Sequence, residues 1–122
     1  MTKTIMIVDD SAALRQIVSI ALTDAGYDVL EACDGKDALA KLNGVKIHLI
    51  ISDVHMPIMD GITFVNEVRK LPSYKFTPVI MLSIESKEDE NATGQAVGAK
   101  AWIVKPFKIE KMLAAVSRLI MP

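Results

Sequence analysis

Several short apolar segments of the sequence end in residues that could do chemistry. The residues in question are Asp9 with Asp10, Asp53, Ser83 and Lys105. If they lie together, the three carboxylates repel one another, by about 4 kcal/mol for two unit charges ~4 Å apart at an effective dielectric near 20, so the group requires a cation. The set contains no Cys or His, and oxygen ligands of this kind favour Mg²⁺.

A carboxylate beside a metal ion, a hydroxyl and a lysine are the groups that phosphoryl transfer requires. Asp53 can act as the nucleophile and form an aspartyl phosphate, because it lies centrally between the acidic pair and Lys105. Mg²⁺ and Lys105 would neutralise charge on the transferred group, and the Ser83 hydroxyl would donate a hydrogen bond to it. Each residue alone has an ordinary explanation as a helix cap, a turn residue or a surface charge. Together they predict an acceptor of phosphoryl groups.

The pattern of apolar residues predicts the elements that would position this set. Strands are expected at 5–8, 27–32, 47–53, 78–82 and 101–104. Helices are expected from a cap at Ser11 or Asp10 to a stop at Gly26, from Asp34-Gly35 to a stop at Asn43-Gly44, and from Asp60-Gly61 to a stop at Pro72. Two more are expected at about 86–97 and over a last segment from Ile109 to Ile120. This alternation predicts an α/β fold, a doubly wound five-stranded parallel sheet with helices on both faces. Because ligands bind at the carboxyl ends of such strands, the distant residues of the set should converge at one edge of the sheet.

Composition narrows the class of protein. The 122 residues are 51% hydrophobic, so we expect a single domain over residues 1–122 with no output domain. The net charge of −1 gives no field for nucleic acid or an anionic membrane, although local clustering of charge could still matter. The single cysteine, Cys33, is predicted to be a reduced thiol packed in the interior. The apolar run near the start is too short for a signal peptide or a membrane span, so a cytoplasmic location is expected.

The motifs at the strand ends resemble those of the receiver domains of two-component response regulators, in particular the single-domain chemotaxis receivers of the CheY type. The resemblance covers the whole chain. It depends on Ile7-Val8-Asp9-Asp10-Ser11, on the sequence DVHMPIMDG from Asp53 to Gly61, on Ser83, and on Val104-Lys105-Pro106-Phe107. It implies a flavodoxin-like fold with the strand order 2-1-3-4-5.

The resemblance also implies a role for each residue of the set. Asp53 would accept a phosphoryl group from a phosphohistidine of a sensor histidine kinase, and Lys105 would bind that group. The ligands of Mg²⁺ would be Asp10, Asp53 and the backbone carbonyl of His55, with Asp9 assisting, partly through water. The Lys105–Pro106 peptide bond would be cis, an isomer available at modest cost only before proline. Such a protein is not an enzyme in the usual sense, because it catalyses only its own phosphorylation and dephosphorylation.

A conformational switch follows from the same resemblance. Ser83 would move toward the phosphate, and the aromatic Trp102 on the fifth strand would swing inward. The predicted helix 86–97 is polar and offers little to a core, so it is the element that such a local change could bias. The output face would comprise this helix, the fifth strand and the last helix. His55, where CheY-like proteins often carry Asn, and Glu85 flank the path of the attacking water, so the phosphate lifetime does not carry over from the family.

We expect the protein to be a monomer that signals by direct contact with another protein. The resemblance implies a chemotaxis histidine kinase as donor, the flagellar motor switch protein as target and a phosphatase as a further partner, with no nucleic-acid or membrane partner. The first alternative is a stand-alone receiver in a phosphorelay or another pathway, and a second is an unphosphorylated scaffold. A remote alternative is a Mg²⁺ phosphatase of the haloacid dehalogenase type, which needs a second acid where this chain has His55. A flavodoxin-like nucleotide binder would need a phosphate loop after the first strand, where this chain has two aspartates.

Overall fold

Five parallel strands form one sheet in the computed structural model, which describes residues 2–84 and 98–120. The strands are β1 (Thr4–Val8), β2 (Asp28–Ala32), β3 (Leu49–Asp53), β4 (Val79–Ser83) and β5 (Ala101–Val104). Their spatial order is β2-β1-β3-β4-β5, and each neighbouring pair is parallel. The predicted fold class and strand order are therefore confirmed, with β3 at the centre of the sheet.

Helices connect the strands and lie on both faces of the sheet. They are α1 (Ala12–Asp24), α2 (Gly35–Lys41), α3 (Gly61–Arg69) and α4 (Ile109–Leu119), with a 3₁₀ turn at Pro72–Tyr74. The side chains of Ser11, Asp34 and Asp60 cap α1, α2 and α3 by accepting a backbone N–H from the first turn, as their residue types predict. The third helix stops before Pro72, as predicted, but Leu71 is not part of it: α3 ends at Arg69, and Leu71 is extended because a residue before proline disfavours the helical conformation. The predicted helix 86–97 lies outside the described residues.

Alternate residues of each central strand enter two separate cores. In β1, Met6 and Val8 pack on the side of Phe64 in α3, whereas Ile5 and Ile7 pack on the side of Met112 in α4. β3 and β4 are buried at every position, as expected of strands that are covered on both faces. This burial fixes the carboxyl ends of the strands rigidly at one edge.

The edge strand β2 corrects one prediction. It is only half-buried, as its alternating sequence predicts, and it ends at Ala32. Cys33 therefore lies in the connection to α2 and is exposed, so its predicted place in the interior is wrong. Its apolar neighbours in the sequence did not bury this thiol, because the connection leaves the end of β2, an edge strand that is itself only half-buried. Among the described helices, none has the length and apolar character needed to cross a membrane.

Candidate functional site

Two buried aspartates end adjacent strands at the carboxyl edge of the sheet. Val8 of β1 pairs with Ser52 of β3, so Asp9 and Asp53 leave the sheet side by side. Asp9 is 1% exposed and Asp53 is 5% exposed, whereas Asp10 is on the surface. One carboxylate oxygen from each of the three lies within 4.8 Å of the others. The three acids that the sequence predicted to converge are thus in one cluster.

Lys105 reaches this cluster from the far side of β4. Its Nζ lies 3.0 Å from Asp9 Oδ2 and 3.3 Å from Asp53 Oδ1, so one ammonium bridges both buried carboxylates. The lysine side chain is 19% exposed, which places the ion pairs at the mouth of the cluster rather than in open solvent. A pairing of residues 96 positions apart is possible only because the parallel sheet brings the strand ends together.

The electrostatics of the cluster leave the negative charge incompletely balanced. Burial, and next the neighbouring Asp9 carboxylate, raise the pKa of Asp53, although Lys105 and the backbone N–H of His55 favour its charged form. Burial would lower the pKa of Lys105, but the hydrogen bond and charge of Asp9 and the charge of Asp53 outweigh it and the pKa is raised. Among the described groups, three carboxylates thus face a single ammonium at this site.

The donor chemistry of the cluster suits a divalent metal ion. Carboxylate oxygens are hard ligands, and a cation of charge +2 would offset the excess negative charge that Lys105 leaves. Asp10 is exposed, so a metal ion could enter from solvent while keeping some of its water. The cluster fits Mg²⁺ for this reason, with Asp9, Asp10 and Asp53 as its acidic ligands.

The end of β4 lies beside the end of β3. Leu82 pairs with Asp53, and its carbonyl accepts the Val54 N–H at 2.9 Å. The next residue, Ser83, is fully buried, and its carbonyl accepts the Lys105 N–H at 2.7 Å. The structure therefore places Ser83 between the strands that supply Asp53 and Lys105. The Lys105–Pro106 peptide bond is cis, as the family resemblance implies.

The predicted switch residues are only partly described. Trp102 lies on β5 and packs half-buried against the core beneath α3. Its indole N–H is buried and has no acceptor among the residues that the structure describes. His55 is exposed in the loop after β3. Glu85 lies outside the described residues, so nothing places it against His55.

Two residues near the site were not predicted from the sequence. The guanidinium of Arg15 donates to the Asp9 carbonyl at 2.6 Å and to Glu31 Oε1 at 3.2 Å, which ties the end of β1 to β2. Gly61, at the start of α3, lies so close to the Asp53 carbonyl that a Cβ would collide with it. The DG pair at 60–61 signalled a helix start but not this close approach, and nothing in the spacing of Arg15 distinguished it from a surface arginine.

The fold and the acidic cluster together define a class of protein. The family model described as the response regulator receiver domain matches residues 5–117. The chain therefore belongs to the receiver domains of two-component response regulators, proteins that interact with histidine kinases and with downstream targets.

The chain is similar to several known receivers. Protein PilG of Pseudomonas aeruginosa is 37% identical over 112 residues, which cover 92% of this chain and 83% of PilG. The chemotaxis response regulator CheY4 of Vibrio cholerae superposes with a TM-score of 0.93 at 46% identity, covering 98% of this chain and 99% of CheY4. TrrA of Thermotoga maritima, solved in complex with Mg²⁺-BeF, superposes at 0.85 with 29% identity, covering 97% of this chain and 99% of TrrA.

Other relatives are longer than this chain. The phosphate regulon transcriptional regulatory protein PhoB of P. aeruginosa is 35% identical over 118 residues, which cover 97% of this chain and 52% of PhoB. The chain spans about half the length of this and several other curated relatives. The likeness to these transcriptional regulators therefore concerns their receiver portion.

Proposed function

We propose that this chain is a phosphorylation-controlled signalling switch in which Asp53 accepts a phosphoryl group from a phosphohistidine of a histidine kinase. The observation that carries the proposal is the bridging of Asp9 and Asp53 by the Lys105 ammonium, with the Asp10 carboxylate within reach of both acids. A cluster that held only a structural ion pair would not need three acids around one lysine. The exposed third acid leaves the arrangement open to a metal ion and to a donor.

The acceptor step uses groups that are already in place. A carboxylate oxygen of Asp53 attacks the phosphorus, a P–O bond forms as the P–N bond to the donor imidazole breaks, and the imidazole leaves with the electron pair. Lys105 lies 3.3 Å from Asp53, where its ammonium would stabilise charge on the transferred group. The Ser83 hydroxyl would hydrogen-bond to one of the phosphoryl oxygens. Bound Mg²⁺, held by Asp10, Asp53 and the His55 carbonyl with help from Asp9, would supply further charge neutralisation.

An apolar cavity next to the site supports docking of a protein donor. It has a volume of about 480 Å³ and is lined in part by Leu14 and Ile17 of α1, Ile84 after β4, and Phe107 after β5. Ile17 is 54% exposed and Ile84 is 70% exposed, so this apolar surface lacks a cover within the described chain. Because Lys105 lines the same cavity, a kinase segment seated there would bring its phosphohistidine close to Asp53.

The signal would leave the site through Ser83 and Trp102. Trp102 is half-buried on β5, and its indole N–H has no acceptor among the described residues, so no hydrogen bond from that part of the chain would oppose its movement. A cavity of about 200 Å³ between β5 and α4 lies beside it, lined in part by Lys111 and Arg118. A shift of Ser83 toward the phosphate would change the packing on this side of the sheet and thus the surface offered to a target.

The pathway we propose is chemotaxis control of the flagellar motor, with a chemotaxis histidine kinase as donor and the motor switch protein as target. The likeness to CheY4 over nearly the whole of both chains supports it. The alternative is a stand-alone receiver in a phosphorelay or another pathway. A haloacid dehalogenase-type phosphatase is disfavoured because His55 stands where its second acid is required.

Phosphorylation by a small phosphodonor tests the acceptor role. Incubation with Mg²⁺ and acetyl phosphate should add the mass of one phosphoryl group, and Asp53→Asn should abolish the gain. Asp60→Asn is the matched control, because Asp60 is an exposed acid whose capping contact to Thr63 an asparagine can keep. Retention of the mass gain in the Asp53 variant would refute the proposal.

Transfer from a kinase tests the docking cavity separately. Ile17→Ser should slow transfer from a chemotaxis histidine kinase while leaving acetyl phosphate labelling unchanged, because the small donor does not need the cavity. Ile20→Ser, at a site 55% exposed on the same helix but not among the lining residues, is the control. Equal rates of transfer to Ile17→Ser and Ile20→Ser would show that the cavity does not dock the kinase.

The pathway can be tested by comparing captured partners. Protein loaded with beryllofluoride, a mimic of the phosphoryl group, should retain the motor switch protein from native cytoplasm, and the Asp53→Asn form should not. Retention of a phosphorelay protein instead would favour the alternative pathway.

A further inference from the structure

The amino-terminal edge of the sheet, opposite the acidic cluster, carries a row of lysines. These are Lys3 before β1, Lys46 before β3, Lys75 before β4 and Lys100 before β5. The four strands are consecutive neighbours in the sheet, so the lysines follow one another along a single edge. Neighbouring strands lie about 4.8 Å apart, so the row is on the order of 15 Å long. We call these four lysines the basic edge.

Apolar side chains project from the loops that carry two of these lysines. Phe76, next to Lys75, is 88% exposed, and Val45, next to Lys46, is 46% exposed. The Lys75 ammonium lies 5.6 Å from the centre of the Phe76 ring, so the cation and the aromatic face form one unit. The exposed ring and the adjacent ammonium together offer an apolar and a cationic contact on the same surface.

The two loops are fixed rather than loosely attached. The buried Tyr74 hydroxyl donates to the Val45 carbonyl at 2.7 Å and accepts the Gly44 N–H at 3.0 Å, which joins the loop before β3 to the loop before β4. The Arg69 guanidinium donates to the carbonyls of Lys75 at 3.2 Å and Thr77 at 2.7 Å. The exposure of Phe76 and Val45 is thus built into the fold by two dedicated side chains.

The charge of this edge is positive on balance. Asp28 begins β2 and Asp24 ends α1 on the same side. Glu67, in the last turn of α3, is paired with Lys70, so in the described part of the chain two unpaired acids oppose the four lysines. His48 contributes little positive charge near neutral pH, because its Nδ1 accepts the Thr4 N–H and burial, then the lysines nearby, lower its pKa. The net charge of the chain is only −1, so the excess of acid lies elsewhere and the molecule has a basic pole.

The expectation of no membrane partner rests on the net charge of the whole chain, whereas the strand order gathers these lysines on one edge. We propose that the basic edge docks on the surface of an anionic phospholipid bilayer, with Phe76 and Val45 entering the interfacial layer. Lysines that flank an exposed aromatic ring suit this surface, because the ammonium groups pair with anionic headgroups while the ring reaches the boundary between headgroups and acyl chains. Two cavities on this edge, of about 320 and 370 Å³, have Lys3 with Lys46 and Lys75 with Lys100 among their linings. They could receive headgroup phosphates, whereas the helix of a protein partner would need an apolar groove.

This orientation leaves the proposed phosphorylation site accessible. β3 runs from the basic edge to Asp53 through five residues, which is about 17 Å of strand. A domain docked by its basic edge would therefore turn Asp53 and the apolar cavity beside it toward the cytoplasm. The docking would hold whether or not Asp53 accepts a phosphoryl group.

Vesicle binding tests the proposal directly. The wild type should co-sediment with vesicles of phosphatidylcholine and phosphatidylglycerol at low salt, but not with phosphatidylcholine alone. Each lysine near an anionic surface contributes about a fivefold gain in binding, so a triple variant should bind about 100-fold more weakly. That variant is Lys46→Gln with Lys75→Gln and Lys100→Gln. Phe76→Ser should weaken binding by about tenfold, because the ring no longer enters the interface.

A second triple variant controls for the loss of net charge. Lys36, Lys108 and Lys111 are equally exposed but belong to α2 or to the α4 region, so changing all three to Gln removes the same charge from other surfaces. This control should bind anionic vesicles within about threefold of the wild type, since its basic edge is intact. All six lysines are exposed, so unchanged thermal melting of both variants is expected and verifies that they are folded.

Several results would overturn the proposal. Equal weakening by the two triple variants would mean that net charge alone drives binding. Equal binding of the wild type to neutral and anionic vesicles would exclude recognition of anionic headgroups. Failure to bind either vesicle, with binding to poly-glutamate that the basic-edge variant loses, would assign the surface to an acidic protein instead.

Discussion

The loop that follows β3 stores strain at Ile58, and relieving this strain should stabilise the protein. Ile58 has φ of 70°, and the Met59 N–H donates to the Pro57 carbonyl at 2.7 Å across it. This is a γ-turn of the rare form in which the central residue has positive φ. A β-branched side chain is poorly suited to that conformation, and the site is 78% exposed, so little packing compensates.

The expected gain can be worked from two opposing terms. A residue held in such a region costs about 1–3 kcal/mol, which glycine would remove. Glycine also increases the entropy of the unfolded chain, which costs about 0.4–1 kcal/mol. Ile58→Gly should therefore raise the free energy of unfolding by about 1 kcal/mol, equivalent to an increase of about 4 °C in Tm for a domain of 122 residues.

Urea unfolding of two glycine variants, Ile58→Gly and Ile84→Gly, would measure this gain in the free energy of unfolding. Ile84 is exposed to a similar degree, at 70%, but its φ is not positive, so Ile84→Gly should lose about 0.4–1 kcal/mol from the unfolded-state term alone. The two substitutions should thus shift the urea midpoint in opposite directions, with unchanged m-values. A loss of stability in Ile58→Gly equal to that in Ile84→Gly would refute the strain argument.

Three further predictions follow from single contacts. Tyr74→Phe should lower the free energy of unfolding, measured by urea titration, by about 1–3 kcal/mol, because the Val45 carbonyl and the Gly44 N–H lose their hydroxyl partner. An unchanged urea midpoint would mean that water replaces the hydroxyl. Burial lowers the pKa of His48, so below about pH 6.5 the unfolded chain binds more protons than the folded one. The free energy of unfolding of the wild type should therefore fall as the pH is lowered from about 7.5 to 5.5. His48→Asn, whose amide oxygen can still accept the Thr4 N–H, should lose less over this range. Parallel plots of the free energy of unfolding against pH for the two proteins would contradict this prediction. Gly61→Ala should destabilise the domain by about 1–3 kcal/mol and reduce labelling by acetyl phosphate, because the new Cβ displaces the Asp53 carbonyl. Full labelling together with wild-type stability would show that the loop adapts to the Cβ.

The sequence predicted the fold and the cluster because both depend on strongly patterned features. Apolar runs alternating with helical spacing require a parallel sheet, and such a sheet brings its carboxyl ends to one edge. The sequence alone therefore predicts that Asp9, Asp53 and Lys105 lie together. Residue types at the helix starts were equally informative: Asp34 and Asp60 begin the second and third helices as predicted, and of the two candidates for the first cap the structure uses Ser11.

Features that depend on tertiary contacts could not be predicted from the sequence. Cys33 is exposed because the edge of the sheet is uncovered there, which its apolar neighbours did not reveal. The positive φ of Ile58 contradicts its residue type, so local propensity predicts the opposite. The basic edge consists of lysines that are far apart in the chain, and only the strand order makes them neighbours.

The central claim is that Asp10, Asp53 and the His55 carbonyl hold one divalent ion beside Lys105. A crystal soaked in Mn²⁺, which prefers the same oxygen ligands as Mg²⁺ and gives a strong anomalous signal, measures this most directly. The account predicts one strong anomalous peak in contact with the Asp10 and Asp53 carboxylates, and its loss in Asp10→Ala. A peak bound elsewhere on the domain, with the Asp9–Lys105–Asp53 cluster left without one, would contradict the account.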